Sequence, residues 1–343
     1  MASDWFERLT GFRETDMETV RGRLQVDGTT LLSRHNGARY QIGTLELPSL
    51  GELRERAADL TPSGPPLRIR AMSGEARALH RDPEFHGALF QVASQFNLLE
   101  MTGPSLAPED GVARYAYDPT QGPACAIAAG AATIYRNYLV PVGNQVGQSR
   151  NLQLDALGDL GQALAEIAGM HVSELWSMRN GYALATQRGL DAIGGVLAGL
   201  DDSGRDALRA QLRIGLHWNV EVTDGDEPQR PIVSQAFCSA LPVAYSQIDQ
   251  ARWASFARLV LEAAYEATLL AGVLHARAGG TNRVLLTRVG GGAFGNALAW
   301  IDDAIERALH IVKGHDLDVR WVAYREPDAA MLDLIRRFKG RMP

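Results

Sequence analysis

One junction near the C-terminus constrains this chain more than any other. At 284–289 a run of apolar and β-branched residues, Val-Leu-Leu-Thr-Arg-Val, meets Gly290-Gly291-Gly292-Ala293-Phe294-Gly295-Asn296, and a helical pattern follows to about residue 309. Three consecutive glycines are conformationally costly unless the backbone geometry is needed. A glycine run between a strand and a helix permits positive φ, lets backbone N–H groups approach a ligand, and aims the positive helix end at an anion. The spacing Gly290-x-Gly292-x-x-Gly295 matches the dinucleotide fingerprint. Its place in the chain argues against a Rossmann domain, because that fingerprint opens its fold and needs several further βα units downstream. Here the next strand ends at Glu326 and the chain stops at residue 343. A tight turn without a ligand is the plain alternative.

The rest of the chain reads as alternating strands and helices. Residues 1–62 form an N-terminal appendage. In it 12–24 is helix-like, 30–47 suggests a hairpin turning at Asn36-Gly37, and Ser49 with Glu52 has capping-box spacing. Thr61-Pro62-Ser63-Gly64-Pro65-Pro66 is the best boundary, since Pro and Gly interrupt helix and strand alike. Beyond it, 67–74, 212–223, 232–246 and 318–326 read as strands, 87–101 begins as a buried strand and ends in polar residues, and 122–139 reads as one helix of small residues with Pro123 in its first turn. Residues 150–211 read as a helical insertion, and 253–275 as a long helix with Phe256, Leu259, Val260, Ala263, Ala267, Leu270 and Leu274 on one face. This order predicts an α/β sandwich with a largely parallel or mixed sheet.

Composition narrows the partners. The hydrophobic fraction of 46% and charged fraction of 22% suit a soluble globular protein, and a net charge of −6 argues against an extensive nucleic-acid surface. Cys125 and Cys238 form no CxxC and read as buried thiols of a reducing compartment. The polar N-terminus has no signal-peptide profile and no window supplies some 18 uncharged apolar residues, so a cytoplasmic protein without a membrane span is expected. The eight histidines form no HExxH, HxH or His/Cys cluster, so neither a metal nor a bound cofactor is expected.

The order strand 68–74, strand 90–97 ending in amide residues, loop, small-residue helix, strands, long helix, strand 284–289, loop Gly-Gly-Gly-Ala-Phe-Gly-Asn, helix, strand 318–326 resembles the macrodomain fold. The late loop looks especially like that of the poly(ADP-ribose) glycohydrolase branch, which carries a similar Gly-Ala-Phe-Gly. The resemblance covers about residues 67–340 and is clearest over 253–326. It implies a three-layer α/β/α macrodomain-like domain over 67–343 and ADP-ribose, free or on a modified substrate, as ligand. It also implies that Gly290, Gly291, Gly292, Ala293, Phe294 and Gly295 wrap a diphosphate with main-chain N–H groups, with Phe294 over the distal ribose and Asn296 also at the ligand. Asn97 would contact the ribose hydroxyls, and Thr120-Gln121-Gly122 would supply further N–H groups to phosphate.

That branch follows its early strand with a triple glycine and Gln-Glu-Glu. The corresponding stretch here, residues 97–124, has no such motif. Catalytic roles therefore have to be sought among the residues present. Cleaving a glycosidic bond needs a developing oxocarbenium ion stabilised and a proton managed by an acid or base. Glu100, Glu109, Asp110 and Asp118 are the nearby acids. Glu100 closely follows a buried strand, which places it either in the cleft or in a cap or ion pair. Asp118 stands equally well as catalyst or as Asx-turn residue. Gln95, like Gln121, is a candidate to orient a ribose or a water. Gln235 and Ser239 either face a ligand or satisfy neighbouring backbone, and no motif places a His beside Cys238. Arg179-Asn180-Gly181-Tyr182 is either a turn between helices or a flap over the ligand. The leading expectation is an ADP-ribosyl hydrolase. The alternatives are a non-catalytic ADP-ribose reader and, disfavoured by the loop's late position, an NAD(P)-binding oxidoreductase.

Overall fold

The computed structural model describes residues 4–62, 64–225 and 229–340. Its centre is a seven-stranded mixed sheet. In chain order the strands are β1 (Thr44–Glu46), β2 (Arg68–Ser73), β3 (Leu89–Ala93), β4 (Gly215–Glu221), β5 (Ile232–Cys238), β6 (Arg283–Leu286) and β7 (Asp318–Ala323), arranged β1-β4-β5-β3-β6-β7-β2. The five strands from β5 to β2 are parallel, while β4 and β1 pair antiparallel at the other edge. Parallel strands covered on both faces are apolar in consecutive positions, and Leu89-Phe90, Val284-Leu285-Leu286 and Trp321-Val322 fit that rule.

Alternation along these strands builds the three layers. Leu89, Val284, Leu286, Val319 and Trp321 point into one core, which they share with α3 (Gln250–Arg277) and α4 (Leu298–Val312). Phe90, Leu285 and Val322 point the other way, into a second core. That second face carries the helix Ala76–Arg81, α1 (Gln121–Ala128) and α2 (Gly130–Tyr138). The helix α3 is long and apolar enough to cross a bilayer by length and composition, and most of its apolar window is buried in this core. All of its expected face is buried except Leu274, which is partly exposed.

Three local differences from the sequence reading have physical causes. The single helix expected over 122–139 breaks at Ala129, where the Thr223 hydroxyl accepts the Gly130 N–H at 2.9 Å and the Thr223 N–H donates to the Ala128 carbonyl. The insertion 150–211 contains helices, but also a hairpin of Trp176–Arg179 and Tyr182–Ala185 turning at Asn180-Gly181, both with positive φ. That turn type suits a two-residue hairpin, so the Asn-Gly pair marks a hairpin and not a connection between helices. The N-terminal segment also joins the sheet, because β1 is its edge strand.

The same segment supports the loop that leaves β3. Trp5, Phe6, Leu9 and Phe12 form a cluster with Leu99, Tyr115, Ile134 and Tyr138. Glu14 accepts the Val112 and Ala113 N–H groups and the Tyr138 hydroxyl, each at 2.8 Å. Burial pushes its carboxyl above the usual range while these three donors pull it back. Glu14→Ala should cost about 3 kcal/mol in denaturant unfolding, since it leaves three half-buried donors without an acceptor; a loss under about 1 kcal/mol would show the contact to be incidental.

Candidate functional site

The C-terminal ends of parallel strands in an open α/β sheet leave room for a ligand, because the connections diverge there. At that edge the loops after β3, β5 and β6 meet the N-terminus of α1 and form a continuous cleft. One chamber encloses about 740 Å³ of space open to solvent, between Ser94, Gln95, Glu100, Thr120, Gly122, Tyr182, Tyr245 and the glycine loop. A second, of about 1160 Å³, lies toward β2 and β7, with Ala76, Ala124, Val322, Tyr324 and Met331 on its walls. Thr120, Gln121, Arg288 and Gly292 border both chambers.

The glycine loop is shaped by its neighbours. Gly290 has φ +81°, and a Cβ there would collide with Ala240. Gly295 has φ +69° and sits against Ala244. A side chain on Gly291 would crowd Leu298 and Ile301. Gly292 is different: nothing lies within 4 Å of where its Cβ would be, and it faces the cleft. The loop closes on itself through Gly291 N–H to Arg288 O, Gly295 N–H to Gly292 O and Asn296 N–H to Gly290 O. Among the described residues, the N–H groups of Gly290, Gly292, Ala293 and Phe294 have no protein acceptor. Successive unpaired N–H groups on a concave backbone form an anion site. Arg288 stands beside them with its guanidinium held by Asp302 and Asp328 and lying over Trp321.

The structure brings most of the expected site residues to this cleft: Gln95, Glu100, Asp118, Thr120, Gln121, Gly122, Gly290, Gly292, Ala293 and Phe294 line the first chamber. Phe294 forms an aromatic wall with Tyr182 and Tyr245, with ring centroids 5.3 Å and 5.6 Å away. Gly291 and Gly295 shape the loop from behind. Two residues take other places. Asn97 is fully buried, its amide donating to Gln153 and its carbonyl oxygen accepting the Leu99 N–H, so it faces no ligand. Asn296 is buried too and bonds the carbonyls of Leu241 and Gly290, stapling the loop to the end of β5.

Others line the cleft but have their polar atoms committed. Gln95 clamps its own loop, accepting the Met101 N–H at 2.8 Å and donating to the Met101 carbonyl at 3.1 Å. Gln121 bridges the end of β3, accepting the Ala93 N–H and donating to the Gln91 carbonyl. Asp118 accepts the Thr120 N–H at 2.8 Å, the Asx-turn arrangement. Glu109 accepts the Arg150 N–H and Asp110 caps its own turn at the Ala107 N–H, both away from the cleft. Gln235, on β5, is buried with its NH2 donating to the Cys125 carbonyl and lying 3.1 Å from His80 Nε2, and its Oε1 has no partner among the described residues; Ser239 donates to the Ala240 carbonyl. Cys238 is buried, which pushes its thiol up to about 11.

Glu100 is the buried acid of the cleft. The loop after β3 turns tightly, with Leu98 at φ +61°, and delivers Glu100 beneath α1, where Gly122 leaves room for its Cγ. One carboxylate oxygen is 3.3 Å from the Arg136 guanidinium, and the other has no hydrogen-bond partner among the described residues. Burial pushes the carboxyl up to about 7, with Arg136 pulling against it. A carboxyl poised near neutrality in a cleft has the property general acid–base chemistry requires.

Sequence reading missed Arg136, Tyr115, Tyr245 and Arg288. Arg136 had a visible signal, a lone charge on the helical face of Ala129, Ala132 and Thr133. The other three are ordinary by pattern, and only folding brings them here. Tyr182 was seen as part of a flap or turn, and the hairpin places it on the wall. Its turn also braces the acid loop: Phe96 N–H donates to Gly181 O, and a Cβ on Gly181 would lie 2.6 Å from Gln95 and Asn97 atoms. Gly181→Val, at φ +78°, should therefore destabilise the fold by roughly 2–4 kcal/mol and impair the site, as measured by thermal unfolding; a wild-type Tm would refute the brace. Among the described residues no group of three or more His, Cys, Asp and Glu side chains is placed to hold a metal ion.

Comparisons with known proteins give one kind of likeness. No family model and no curated protein matches the chain. Among solved structures, the poly(ADP-ribose) glycohydrolase of Deinococcus radiodurans in complex with ADP-ribose is 14% identical, with 96% of this chain and 98% of that one covered at a TM-score of 0.45. The Thermomonospora curvata glycohydrolase is 13% identical, over 95% and 96%, at 0.41. The roles assigned below rest on the cleft's own geometry.

Proposed function

We propose that this protein is an ADP-ribosyl hydrolase that binds ADP-ribose on a modified substrate and cleaves the bond at the distal ribose. The carrying observation is that Glu100, a buried acid with one partnerless oxygen, lines the same chamber as the four residues of the glycine loop whose N–H groups are unpaired. The loop takes the diphosphate through its unpaired N–H groups, beside Arg288, whose charge Asp302 and Asp328 already match. The apolar chamber between Ala124, Val322 and Met331 takes the adenine, and the aromatic wall of Tyr182, Tyr245 and Phe294 takes the distal ribose.

In this reading protonated Glu100 gives its proton to the leaving atom as the glycosidic bond lengthens. The carboxylate so formed faces the oxocarbenium-like ribose and then accepts a proton from the attacking water, which restores the acid. One carboxyl serves both steps, because Asp118 is engaged in its turn.

Parallel calorimetric titrations with ADP-ribose, NAD and poly(ADP-ribose), beside a turnover assay on ADP-ribosylated protein and nucleic acid, test the reading. ADP-ribose binding and release are expected. No ADP-ribose binding would overturn it, and binding without turnover on any carrier would make the protein a reader. Phe294→Ala should weaken ADP-ribose binding about tenfold, through loss of stacking area on one wall; unchanged affinity would remove Phe294 from the ribose site.

A further inference from the structure

Arg136 is among the largest fully buried side chains and is a cation in a face of small apolar residues. Burying a guanidinium is costly unless its donors are matched and its plane is covered. Here the Nε donates to the Leu98 carbonyl at 3.1 Å, one terminal nitrogen reaches Thr133 Oγ1 at 3.0 Å and Glu100 at 3.3 Å, and the other lies 3.4 Å from His217 Nδ1. The group stacks over Phe237 at 3.9 Å. It thus grips both the strained residue that turns the acid loop, Leu98, and the carboxyl that loop carries.

We propose that Arg136 is the positioning residue of this site: it anchors one oxygen of Glu100 and the turn at Leu98, so that the second oxygen alone is presented to the cleft. This rests on Glu100 acting as the acid. Arg136 reaches one oxygen at 3.3 Å, the other has no partner among the described residues, and Glu100 lines the ligand chamber.

The other groups facing Glu100 are neutral. Tyr115 Oη accepts its backbone N–H at 3.1 Å, from the turn after residue 112. Cys125 on α1 has a thiol pushed well above its usual range by burial, and His217 on β4, beyond the guanidinium, has an imidazole held well below its own. Glu14 and Glu75 lie farther out, behind Tyr115 and Cys125. Among the described residues, Arg136 is therefore the one cation acting on this carboxyl from the elements packed around it. An adjacent cation lowers a carboxyl pKa by about 1–3 units, so its removal has a definite sign.

The test is an infrared titration of the full chain, with Glu100→Gln used to identify the carboxyl band, in wild type, Arg136→Met and Arg136→Lys. It is read beside kcat and KM on ADP-ribosylated protein. Arg136→Met should raise the Glu100 midpoint by about one unit or more and lower kcat more than roughly tenfold with little change in KM. Arg136→Lys keeps the charge and loses the fork, so it should hold the midpoint near wild type while kcat still falls. A wild-type midpoint and wild-type kcat in a folded Arg136→Met protein would overturn the proposal. Should Arg136→Met fail to fold, the lysine variant decides, and undiminished kcat there overturns it. The infrared shift also separates the two claims. A moved midpoint in a protein that hydrolyses no ADP-ribosyl bond supports the anchoring of Glu100 and sinks only the hydrolase reading.

Discussion

Glu100→Gln is expected to lower turnover of ADP-ribosylated substrates by roughly 10³-fold, within the range general acid–base groups contribute, while leaving ADP-ribose affinity nearly unchanged. Glutamine preserves shape and the contact with Arg136 but has no proton to give. With the carboxyl at about 7, the acid form predominates below neutrality. The wild-type kcat should therefore hold below pH 7 and fall about tenfold per unit above it, a limb that is absent in the variant. Stability follows the same proton. The folded chain keeps it to about pH 7, whereas the unfolded carboxyl releases it near the ordinary 4.5. Stability from this group is thus present at low pH, declines as pH rises between those values, and levels off above. A Glu100→Gln protein that turns over substrate at the wild-type rate would exclude Glu100 as the acid.

The second large effect separates two glycines that look alike in sequence. Gly292→Val should leave folding intact and weaken ADP-ribose binding by about 100-fold or more. No protein atom lies within 4 Å of where its Cβ would stand, and Gly292 lines both chambers, so the added bulk is expected to take ligand space. Gly290→Val should cost roughly 2–4 kcal/mol of stability before binding is considered, since a Cβ there collides with Ala240 and the backbone is at φ +81°. Thermal unfolding and calorimetry on the two variants measure both effects. Equal stability losses, or full affinity in Gly292→Val, would place the ligand elsewhere.

Much of the scaffold is legible without coordinates. The apolar runs at 89–93, 284–286 and 318–323 are strands, because buried parallel strands need apolar residues on both faces. The capping box at Ser49 and Glu52 forms as its spacing predicts. Asn36-Gly37 turns a hairpin between Thr30–Ser33 and Arg39–Gln41. The site is legible in outline for a related reason: a glycine run between strand and helix is a local instruction, and neighbouring residues execute it. What misled was the amides. Gln95, Asn97, Gln121 and Asn296 look like ligand contacts, yet the first three bond backbone or neighbouring side chains at both ends of the amide, and Asn296 gives its NH2 to the carbonyls of Leu241 and Gly290 while its Oδ1 is buried without a partner among the described residues. A tight loop leaves N–H and C=O groups that must be satisfied, and a nearby amide, being donor and acceptor at once, satisfies them best.

By itself the sequence determined the periodicities, the caps, the punctuation by Gly and Pro, and so the alternating order of strands and helices that makes a layered α/β protein. Tertiary structure alone decided which acid is the candidate. Glu109, Asp110 and Asp118 are as acidic as Glu100 in sequence, but they bond to nearby N–H groups at the loop surface. Only Glu100 is carried below α1 against a cation 36 residues away, with one oxygen left over. The pKa of a carboxyl depends on the water it loses and the charges that surround it. Both are properties of distant chain segments brought together, and no local pattern encodes them.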